Sequence, residues 1–512
     1  MTFFVPSKMI SGVYLLGLLF ASVCYAAPAR FEVTSLPGWE GALPSRMWSG
    51  FVDVGLASQY TIGKPDAGHM FQHYVFIESE GSPATDPVLV WYNGGPGESS
   101  MFGLLVELGP LLLNEESLSR VSNASQPPEL LRNPYSWSKA ASLLIVDNPP
   151  PVGFSYCSSA GQRGDGYSCG AWNDTGVAAV NHAFLCTFFQ EQFPEFLKNE
   201  LYLVGESYAG VYVPVIVQAL TRNTCGLNLA GFAVGDGCMG TDVLCGANDG
   251  PFYVIEFLYG HGQLSNKLYH SISSTCEEEN LKTGHNLSLA CMTVVGEAIQ
   301  AVGAMNDYAL YDDCYWKSGQ PVDDKKVRRR TSPAAGGWEV VVPNGYPCAG
   351  AAMNIWLARA DVRNALHVDA RATFVDGDNG HGFNYTSTER SVLEIHEKAA
   401  RQNKLRVLVY TGDTDPGSHP RILQDKWFPF WEKVGLKEAA AWRPWTIDGK
   451  TRMGGYVVEY EDNWTFLTVR GSGHMVPEFK PAAALAFITA FLKGDSPPPY
   501  SPGPLKGASA KH

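Results

Sequence analysis

Short, mainly apolar runs recur along the chain and are separated by turn-forming residues and amphipathic segments. Continuous apolar runs are typical of strands buried on both faces, whereas alternation indicates an antiparallel strand. The pattern predicts strands at 70–77, 87–92, 141–147, 201–204, 229–234, 405–410 and 464–469. It predicts helices at 101–108, 174–192, 360–368, 391–401 and 481–493. Repeated strand and helix indicates an α/β fold with a mixed, mostly parallel central sheet covered by helices on both faces.

The sequence pattern of the chain changes between residues 238 and 350. This stretch contains five cysteines from Cys238 to Cys314, short irregular runs and a charged segment, which together indicate an insertion. We expect a small, disulfide-rich cap. The predicted organisation is a signal peptide at 1–26, a core in two parts at 27–237 and 351–494, the cap at 238–350 and a disordered tail at 495–512.

The N-terminus predicts entry into the secretory pathway. Lys8 precedes the apolar run 13–20, and small residues surround a cleavage position after Ala26. The run is short for a bilayer, which disfavours the alternative of a membrane anchor. Because no other continuous apolar stretch of spanning length is found, we expect no membrane span after the signal is removed.

Ten of the 11 cysteines remain once the predicted signal, which contains Cys24, is removed. An even number in a secreted chain implies disulfides, although their connectivity stays open. Five sequons predict N-linked glycans at some of Asn123, Asn173, Asn286, Asn384 and Asn463. The net charge of −13 argues against a nucleic-acid surface.

A charged run, 323–330, ends in five basic residues that are interrupted by Val327, and it lies inside the predicted cap. Two interpretations stay open. The run is either a processing site for a lumenal protease, which would leave two disulfide-linked chains, or a solvated loop.

The stretch 201–210 is typical of a strand that turns sharply into a helix around Ser207. Such an elbow needs small neighbours, and it exposes the serine hydroxyl near the first free amides of the helix. The match to G-x-S-x-G is imperfect, because Ala209 takes the last position and Gly210 follows it. Taken alone, the stretch also fits an ordinary tight turn.

Ser207, Asp415 and His474 each follow a predicted strand and occur in the α/β-hydrolase order. Acyl transfer needs these residue types, because histidine removes the serine proton and a buried carboxylate fixes the imidazole tautomer. Asp413 competes with Asp415 for the acid role. We prefer Asp415, because the two residues after Gly412 give the loop room to turn, and Asp413 would then be a capping residue.

The Gly-rich segment 93–100 follows the strand at 87–92 and offers free backbone amides. The amides of Gly95 and Tyr208 are the strongest candidates for an oxyanion hole. The sequence contains no H-E-x-x-H motif, P-loop or dinucleotide fingerprint, so we expect neither a metal nor an organic cofactor.

Five segments together resemble the serine carboxypeptidase family, and their order and spacing agree across about residues 40 to 494. They are 91–97, 153–156, 205–210, 412–415 and 473–477. The resemblance implies an α/β-hydrolase that releases C-terminal amino acids from peptides at acid pH through a Ser-His-Asp acyl-enzyme mechanism. It implies a lysosome, a vacuole or the extracellular space as the location.

The same resemblance implies that Asn93, Gly94, Glu107 and Glu206 bind the terminal carboxylate of the substrate. Carboxyl groups can share protons with a third only while at least one is protonated, so binding is expected to weaken as pH rises. This interpretation explains why a glutamate, Glu206, directly precedes the predicted nucleophile.

The chain departs from the family pattern at three places. Glu98 stands where the family usually has a cysteine that ties the Gly-rich loop to a distant segment, so that bridge is not expected here. Its carboxyl group is expected either to hydrogen-bond within the loop or to shift the titration of the carboxylate site. The triple proline at 149–151 and Asp236, where the family tends to have Asn, also differ.

Two alternatives to a carboxypeptidase remain. A carboxypeptidase-like acyltransferase would use the same three residues and pass the acyl group to an alcohol rather than to water. A catalytically silent glycoprotein that binds partners through the same fold is the other. The preference for side chains at the scissile bond cannot be read from the sequence, because residues of the cap are expected to line that pocket.

Overall fold

The structure is a computed structural model that describes residues 32–119, 126–159, 167–245, 250–303, 305–312, 328–330, 338–340, 349–369, 372–377 and 383–501. The predicted signal peptide, the sequon at Asn123, Cys314 and Cys348 lie outside these residues. So do residues 325–327 of the basic run and residues 502–512 of the predicted tail.

Strands are numbered in chain order. They are β1 Glu32–Val33, β2 Met47–Leu56, β3 His69–Ile77, β4 Val88–Tyr92, β5 Leu111–Leu112, β6 Leu131–Arg132, β7 Ser142–Val146, β8 Tyr156–Cys157, β9 Trp172–Asn173, β10 Glu200–Glu206, β11 Asn228–Gly235, β12 Arg328–Arg330, β13 Trp338–Val340, β14 Tyr385–Thr386, β15 Arg406–Gly412, β16 Glu438–Thr446, β17 Met453–Tyr460 and β18 Trp464–Val469.

The α-helices are numbered in the same way. They are α1 Glu115–Ser119, α2 Asp174–Thr187, α3 Ala209–Arg222, α4 Phe252–Gly260, α5 Asn266–Thr275, α6 Glu278–Thr283, α7 Leu289–Val302, α8 Ala349–Leu357, α9 Ala360–Ala365, α10 Leu393–Glu397, α11 Pro420–Val434, α12 Val476–Phe479 and α13 Pro481–Lys493. Three π-helical segments add to them, at Gly103–Leu108, Phe188–Gln192 and Lys398–Gln402.

Twelve strands form one mixed sheet, in the order β1-β2-β3-β7-β4-β10-β11-β15-β18-β17-β16, with β8 paired to β3. The six strands from β7 to β18 in this order run parallel, and the strands outside them are antiparallel. This confirms the predicted α/β-hydrolase architecture with a parallel centre.

The central strands are buried on both faces, as the continuous apolar runs predict. In β4, Val88, Val90 and Tyr92 belong to one hydrophobic cluster, whereas Leu89 and Trp91 belong to the cluster on the other side. Alternate residues of a strand point to opposite faces, so each strand contributes to two cores. Helices α2, α3 and α11 cover the first face, and α8 and α13 cover the second.

Helices α4 to α7 occupy residues 252–302 of the predicted cap and share a small apolar cluster of their own. The Cys276–Cys291 disulfide joins α7 to the end of α5. Three other disulfides link Cys157–Cys169, Cys186–Cys225 and Cys238–Cys245. The cap boundaries at 238 and 350 stay a prediction.

The first residues of the predicted disordered tail pack against the edge of the sheet. The amide of Thr446 in β16 donates to the carbonyl of Pro498, and that of Tyr500 to the carbonyl of Pro444. The boundary of the predicted tail at 495 stays a prediction, and Pro498 and Tyr500 are hydrogen-bonded to β16. Such bonds are possible because proline carbonyls still accept hydrogen bonds from an edge strand although proline donates none.

Across the described residues, none of the helices combines the length and the apolar character that crossing a bilayer requires.

Candidate active site

The candidate site lies at the carboxyl edge of the parallel strands. The Gly-rich segment follows β4, Ser207 follows β10, Asp236 follows β11, Asp415 follows β15 and His474 follows β18. Because parallel strands all end at one edge of a sheet, residues far apart in the chain are brought together there.

Ser207 forms the predicted elbow between β10 and α3. Its φ angle of +60° is in the left-handed region, which a residue other than glycine adopts only where the surroundings enforce it. Its amide donates to the carbonyl of Gly235 at 3.0 Å. Ser207 is half-buried, whereas residues 201–206 and 208–217 on both sides are buried. The fold therefore exposes one side chain at this turn.

Glycines lie around the elbow at Ser207 because backbone segments pass close to one another there. A Cβ atom at Gly210 would lie 2.4 Å from the carbonyl oxygen of Cys238. A Cβ atom at Gly94 would lie 2.5 Å from the amide nitrogen of Tyr208 and 2.7 Å from Cβ of Ser207. The Gly-rich loop thus rests directly on the turn that carries the serine, and the peptide between Gly94 and Gly95 lies beside Tyr208.

His474 is hydrogen-bonded to Asp415 through Nδ1 and Oδ2 at 2.7 Å. The second oxygen of Asp415 accepts from the amide of Gly417 at 2.8 Å. Asp415 is buried, and Nε2 of His474 is buried with no hydrogen-bond partner among the described residues. Asp413 instead accepts from the amide of Gly471, so the carboxylate in contact with the imidazole is that of Asp415.

Electrostatics favour an ionised Asp415. Burial alone would raise the pKa of its carboxyl group, but the His474 imidazole and the hydrogen bonds from His474 and Gly417 outweigh burial and lower it. A charged carboxylate at this place holds the proton on Nδ1 and leaves Nε2 as the basic nitrogen.

A segment after α7 supports the histidine loop. The amide of His474 donates to the carbonyl of Tyr308 at 2.7 Å, and the amide of Leu310 donates to the carbonyl of Thr414 at 2.9 Å. Residues 305–312 thus hold the loops of both Asp415 and His474. Sequence reasoning does not identify this contact, because Tyr308 lies in the predicted cap.

Asn93, Glu107 and Glu206 form a buried polar group next to the elbow. The side-chain amide of Asn93 donates to Oε1 of Glu107 at 3.2 Å and to Oε1 of Glu206 at 3.0 Å. Its carbonyl oxygen accepts from Trp91 Nε1 at 2.7 Å, which fixes the orientation of the amide. The Oε2 atoms of both glutamates are buried and have no donor among the described residues.

The pKa values of both glutamates lie above the ordinary value for a glutamate side chain. Burial raises the pKa of Glu107 to about 7, although hydrogen bonds from Asn93 and with Glu206 oppose the rise. Burial, followed by the charges of Glu107 and Glu98, raises the pKa of Glu206 well above its ordinary value. Two neighbouring carboxyl groups in a buried site repel each other strongly when both are ionised, so at least one is protonated at acid pH.

Glu107 lies in the π-helical segment Gly103–Leu108, where a helix is predicted. The wider turn of a π-helix is frequent at functional sites because it redirects a side chain from the regular helical face. All four residues that the sequence predicts for carboxylate binding, including Gly94, lie close to Ser207 in the fold.

Hydrogen bonds to a distant segment hold the Gly-rich loop, which has Glu98 in place of the family's cysteine. The amide of Gly377 donates to the carbonyl of Gly97 at 2.9 Å, and the amide of Ser99 donates to Asp376 at 3.0 Å. Underneath, the hydroxyl of Ser99 donates to Asp147 at 2.6 Å. The loop is thus tied to a segment about 280 residues away without a covalent bond. Of the two expectations for Glu98, the second, a shift in the titration of the carboxylate site, agrees with the structure, because the charge of Glu98 raises the pKa of Glu206.

In each of two clusters among the described residues, three atoms that could bind a metal lie within 4.8 Å of one another. In the first, His182 meets Cys186 and Cys225, whose sulfur atoms are joined in a disulfide and are not thiolate ligands. The second consists of Asp236, Asp415 and His474, where the last two are bonded to each other. We assign no metal to either, and the expectation that no cofactor takes part stays a prediction.

The fold and this arrangement of side chains define an α/β-hydrolase. The family model for serine carboxypeptidase matches residues 37–494. Serine carboxypeptidase 1 from Hordeum vulgare is 31% identical and covers 92% of this chain and 94% of its own length. Lysosomal protective protein from Mus musculus is 32% identical, with 95% and 99% covered.

Among solved structures, Kex1(delta)p, a prohormone-processing carboxypeptidase from Saccharomyces cerevisiae, shares the fold with a TM-score of 0.61. The two chains are 19% identical over 91% of this chain and 96% of that one. The chain belongs to the serine carboxypeptidase family, as its sequence motifs indicate, and the family assigns it as a serine-type hydrolase.

Proposed function

We propose that this protein removes single amino acids from the C-termini of peptides at acid pH. The observation that carries the proposal is the buried group of Asn93, Glu107 and Glu206 beside Ser207. A free C-terminal carboxylate is the feature that distinguishes an exopeptidase substrate from an internal peptide bond. A protonated carboxyl pair next to the nucleophile is suited to bind that feature.

In the proposed reaction, Ser207 is the nucleophile and His474 is its base. Nε2 of His474 removes the hydroxyl proton as Oγ attacks the last peptide carbonyl, and Asp415 stabilises the imidazolium. The amides of Gly95 and Tyr208 donate hydrogen bonds to the carbonyl oxygen and stabilise the negative charge that develops on it. The imidazolium then protonates the leaving amine, and water releases the peptide from the acyl-enzyme by the same steps in reverse.

The carboxylate-binding group sets the direction of the pH dependence. Below pH 7, Glu107 and Glu206 keep at least one proton and can donate a hydrogen bond to the substrate carboxylate. As pH rises through about 7, Glu107 loses its proton, and the negative charge that it gains weakens binding of the substrate carboxylate. The loss affects KM for free peptides, because the carboxylate is bound in the ground state as well.

The proposed location is the lumen of a secretory compartment. Four disulfides in the described residues fit an oxidising environment. The sequon residues Asn286, Asn384 and Asn463 are exposed and are the proposed glycan sites, whereas Asn173 is half-buried and caps α2 through its side chain. Processing at residues 325–330 stays a prediction, and residues 328–330 form strand β12.

The test compares a blocked dipeptide with a free C-terminus and its C-terminal amide between about pH 4.5 and pH 8.5. We expect release from the free peptide to be fastest below neutral pH and to fall above pH 7, with Ser207→Ala inactive throughout. Equal cleavage of the amide at every pH would contradict the carboxylate-binding role.

Two further measurements separate the alternatives. A glucose ester supplied with an alcohol acceptor tests for acyl transfer, and efficient transfer without peptide cleavage would assign the triad to that reaction instead. Labelling by a fluorophosphonate tests whether the site is active at all. The absence of an adduct at Ser207 in the folded, glycosylated protein would contradict every enzymatic interpretation.

A further inference from the structure

Asp236 is a buried carboxyl group that the mechanism above does not use. It follows β11 with a φ angle of +45° and is fully inaccessible to solvent. Its Oδ1 accepts from the hydroxyl of Thr411 and from the amide of Gly412, both at 2.9 Å. Its Oδ2 is also buried and has no donor among the described residues.

The group next to Asp236 is Asp415. One oxygen of Asp236, one oxygen of Asp415 and one nitrogen of His474 lie within 4.8 Å of one another. Both oxygens of Asp415 already accept hydrogen bonds, from Gly417 and from His474. Two bare carboxylates at this distance in a buried site would repel each other strongly. A proton on Asp236 removes one charge and gives Oδ2 an acceptor.

The surrounding groups agree with this placement of the proton. Burial, followed by the charge of Asp415, raises the pKa of Asp236 well above its ordinary value. The other titratable groups that act on the pair are Glu206, Tyr410 and His419. Burial keeps Tyr410 neutral by raising its pKa, and it lowers the pKa of His419 to about 4. None of the three supplies a positive charge near neutral pH that would hold Asp236 ionised.

We propose that Asp236 is a positioning residue, whose protonated carboxyl group donates a hydrogen bond to Asp415, so that Asp415 keeps the charge and orientation that hold His474. The proposal rests on the proposed roles of Ser207, Asp415 and His474. The donated hydrogen bond and those of Gly417 and His474 surround the Asp415 carboxylate. When Asp236 loses its proton, the hydrogen bond becomes a repulsion between two buried charges, and the imidazole loses its fixed support.

Two substitutions separate the hydrogen bond from the titration. In Asp236→Asn, the side-chain amide still donates to Asp415, and the carbonyl oxygen still accepts from Thr411 and Gly412, but no proton can be lost. In Asp236→Leu, a side chain of similar size provides no donor. The matched control is Asp242→Asn on the same loop, where an exposed aspartate pairs with Arg390 away from the imidazole.

The measurement is the rate at which a fluorophosphonate labels Ser207 between about pH 5 and pH 9, because this probe has no carboxylate and does not depend on Glu107 or Glu206. We expect the wild-type rate to fall at the alkaline end. The rate for Asp236→Asn should stay within about threefold of wild type near pH 6 and should not fall at the alkaline end. Asp236→Leu should label about tenfold or more slowly at every pH, and Asp242→Asn should follow wild type.

An alkaline decline in Asp236→Asn that matches wild type would overturn the proposal, as would a normal rate in Asp236→Leu. Thermal unfolding of each variant shows whether a slow rate reflects a damaged fold, and Asp236→Asn remains informative where Asp236→Leu does not fold. If folded wild-type protein is not labelled at all, the proposed function fails instead, and the two failures are therefore distinguishable.

Discussion

Two pairs of buried carboxyl groups lie near Ser207, the proposed nucleophile, and they differ in what surrounds them. Glu107 and Glu206 share one neutral donor, the side-chain amide of Asn93, and both have raised pKa values. In the second pair, Asp415 contacts an imidazole and a backbone amide, and its pKa is lowered, while that of Asp236 is raised.

The comparison shows that burial alone does not decide which carboxyl group is charged. Burial acts to raise the pKa of all four groups. Only at Asp415 do the hydrogen bonds that it accepts and the charge of the neighbouring imidazole outweigh burial, so that its pKa is lowered. A pair without a basic partner shares protons and suits recognition of a third carboxylate. A pair with a basic partner contains one permanent charge, which suits the support of a catalytic histidine.

The largest expected effect is the difference between two separate variants, in each of which one aspartate of the second pair is replaced by asparagine. Asp415→Asn should lower kcat by about 10⁴-fold, because an amide at this place favours the wrong imidazole tautomer. Asp236→Asn should have little effect at acid pH. Steady-state kinetics on one free peptide, with circular dichroism as a check on folding, compare the two variants. Equal losses would show that the two carboxyl groups are not distinct.

A smaller effect is expected when the first pair is broken. Glu206→Leu should raise KM for a free peptide about 10- to 100-fold and change kcat less, because a hydrogen bond to a charged group is lost from substrate binding. The control substrate is the C-terminal amide of the same peptide. A similar rise in KM for the amide would mean that Glu206 does not recognise the carboxylate.

A third expected effect is on stability rather than on catalysis. A carboxyl group with a raised pKa in the folded protein stabilises the fold fully below its unfolded pKa, and this contribution is lost as pH rises through the folded value. For Glu107 the window runs from 4.5 to about 7. The free energy of unfolding should fall across it by about 2 to 3 kcal/mol from this group.

Chemical denaturation at about pH 5 and pH 7.5 measures this loss, and Glu107→Gln should reduce it because glutamine does not titrate. If the free energy of unfolding of Glu107→Gln falls between these pH values as much as that of the wild type, the proton is held elsewhere in the pair. The matched control is Glu394→Gln, which replaces an exposed glutamate that pairs with Lys398.

The sequence predicted the sheet well where burial dominates. Strands such as β4 and β15 are apolar on both faces, so their pattern follows directly from their place in the core. The edge hairpin of β16 and β17 was not predicted, because an edge strand is half exposed and β16 carries polar and small residues. Helix α11 contains Pro429, which normally ends a helix, and the burial of Trp427 and Trp431 against Trp464 offsets its cost.

By itself, the sequence determined the turn around Ser207, the chain order of Ser207, Asp415 and His474, and the family to which these motifs belong. These follow from local patterns, because each residue lies in the turn or loop after a strand whose apolar run is visible in the sequence. Only the tertiary structure decided which disulfides form, which aspartate contacts His474 and which buried carboxyl groups have raised or lowered pKa values. The physical reason is that a pKa depends on burial and on donors contributed by distant segments, and neither is encoded next to the residue that titrates.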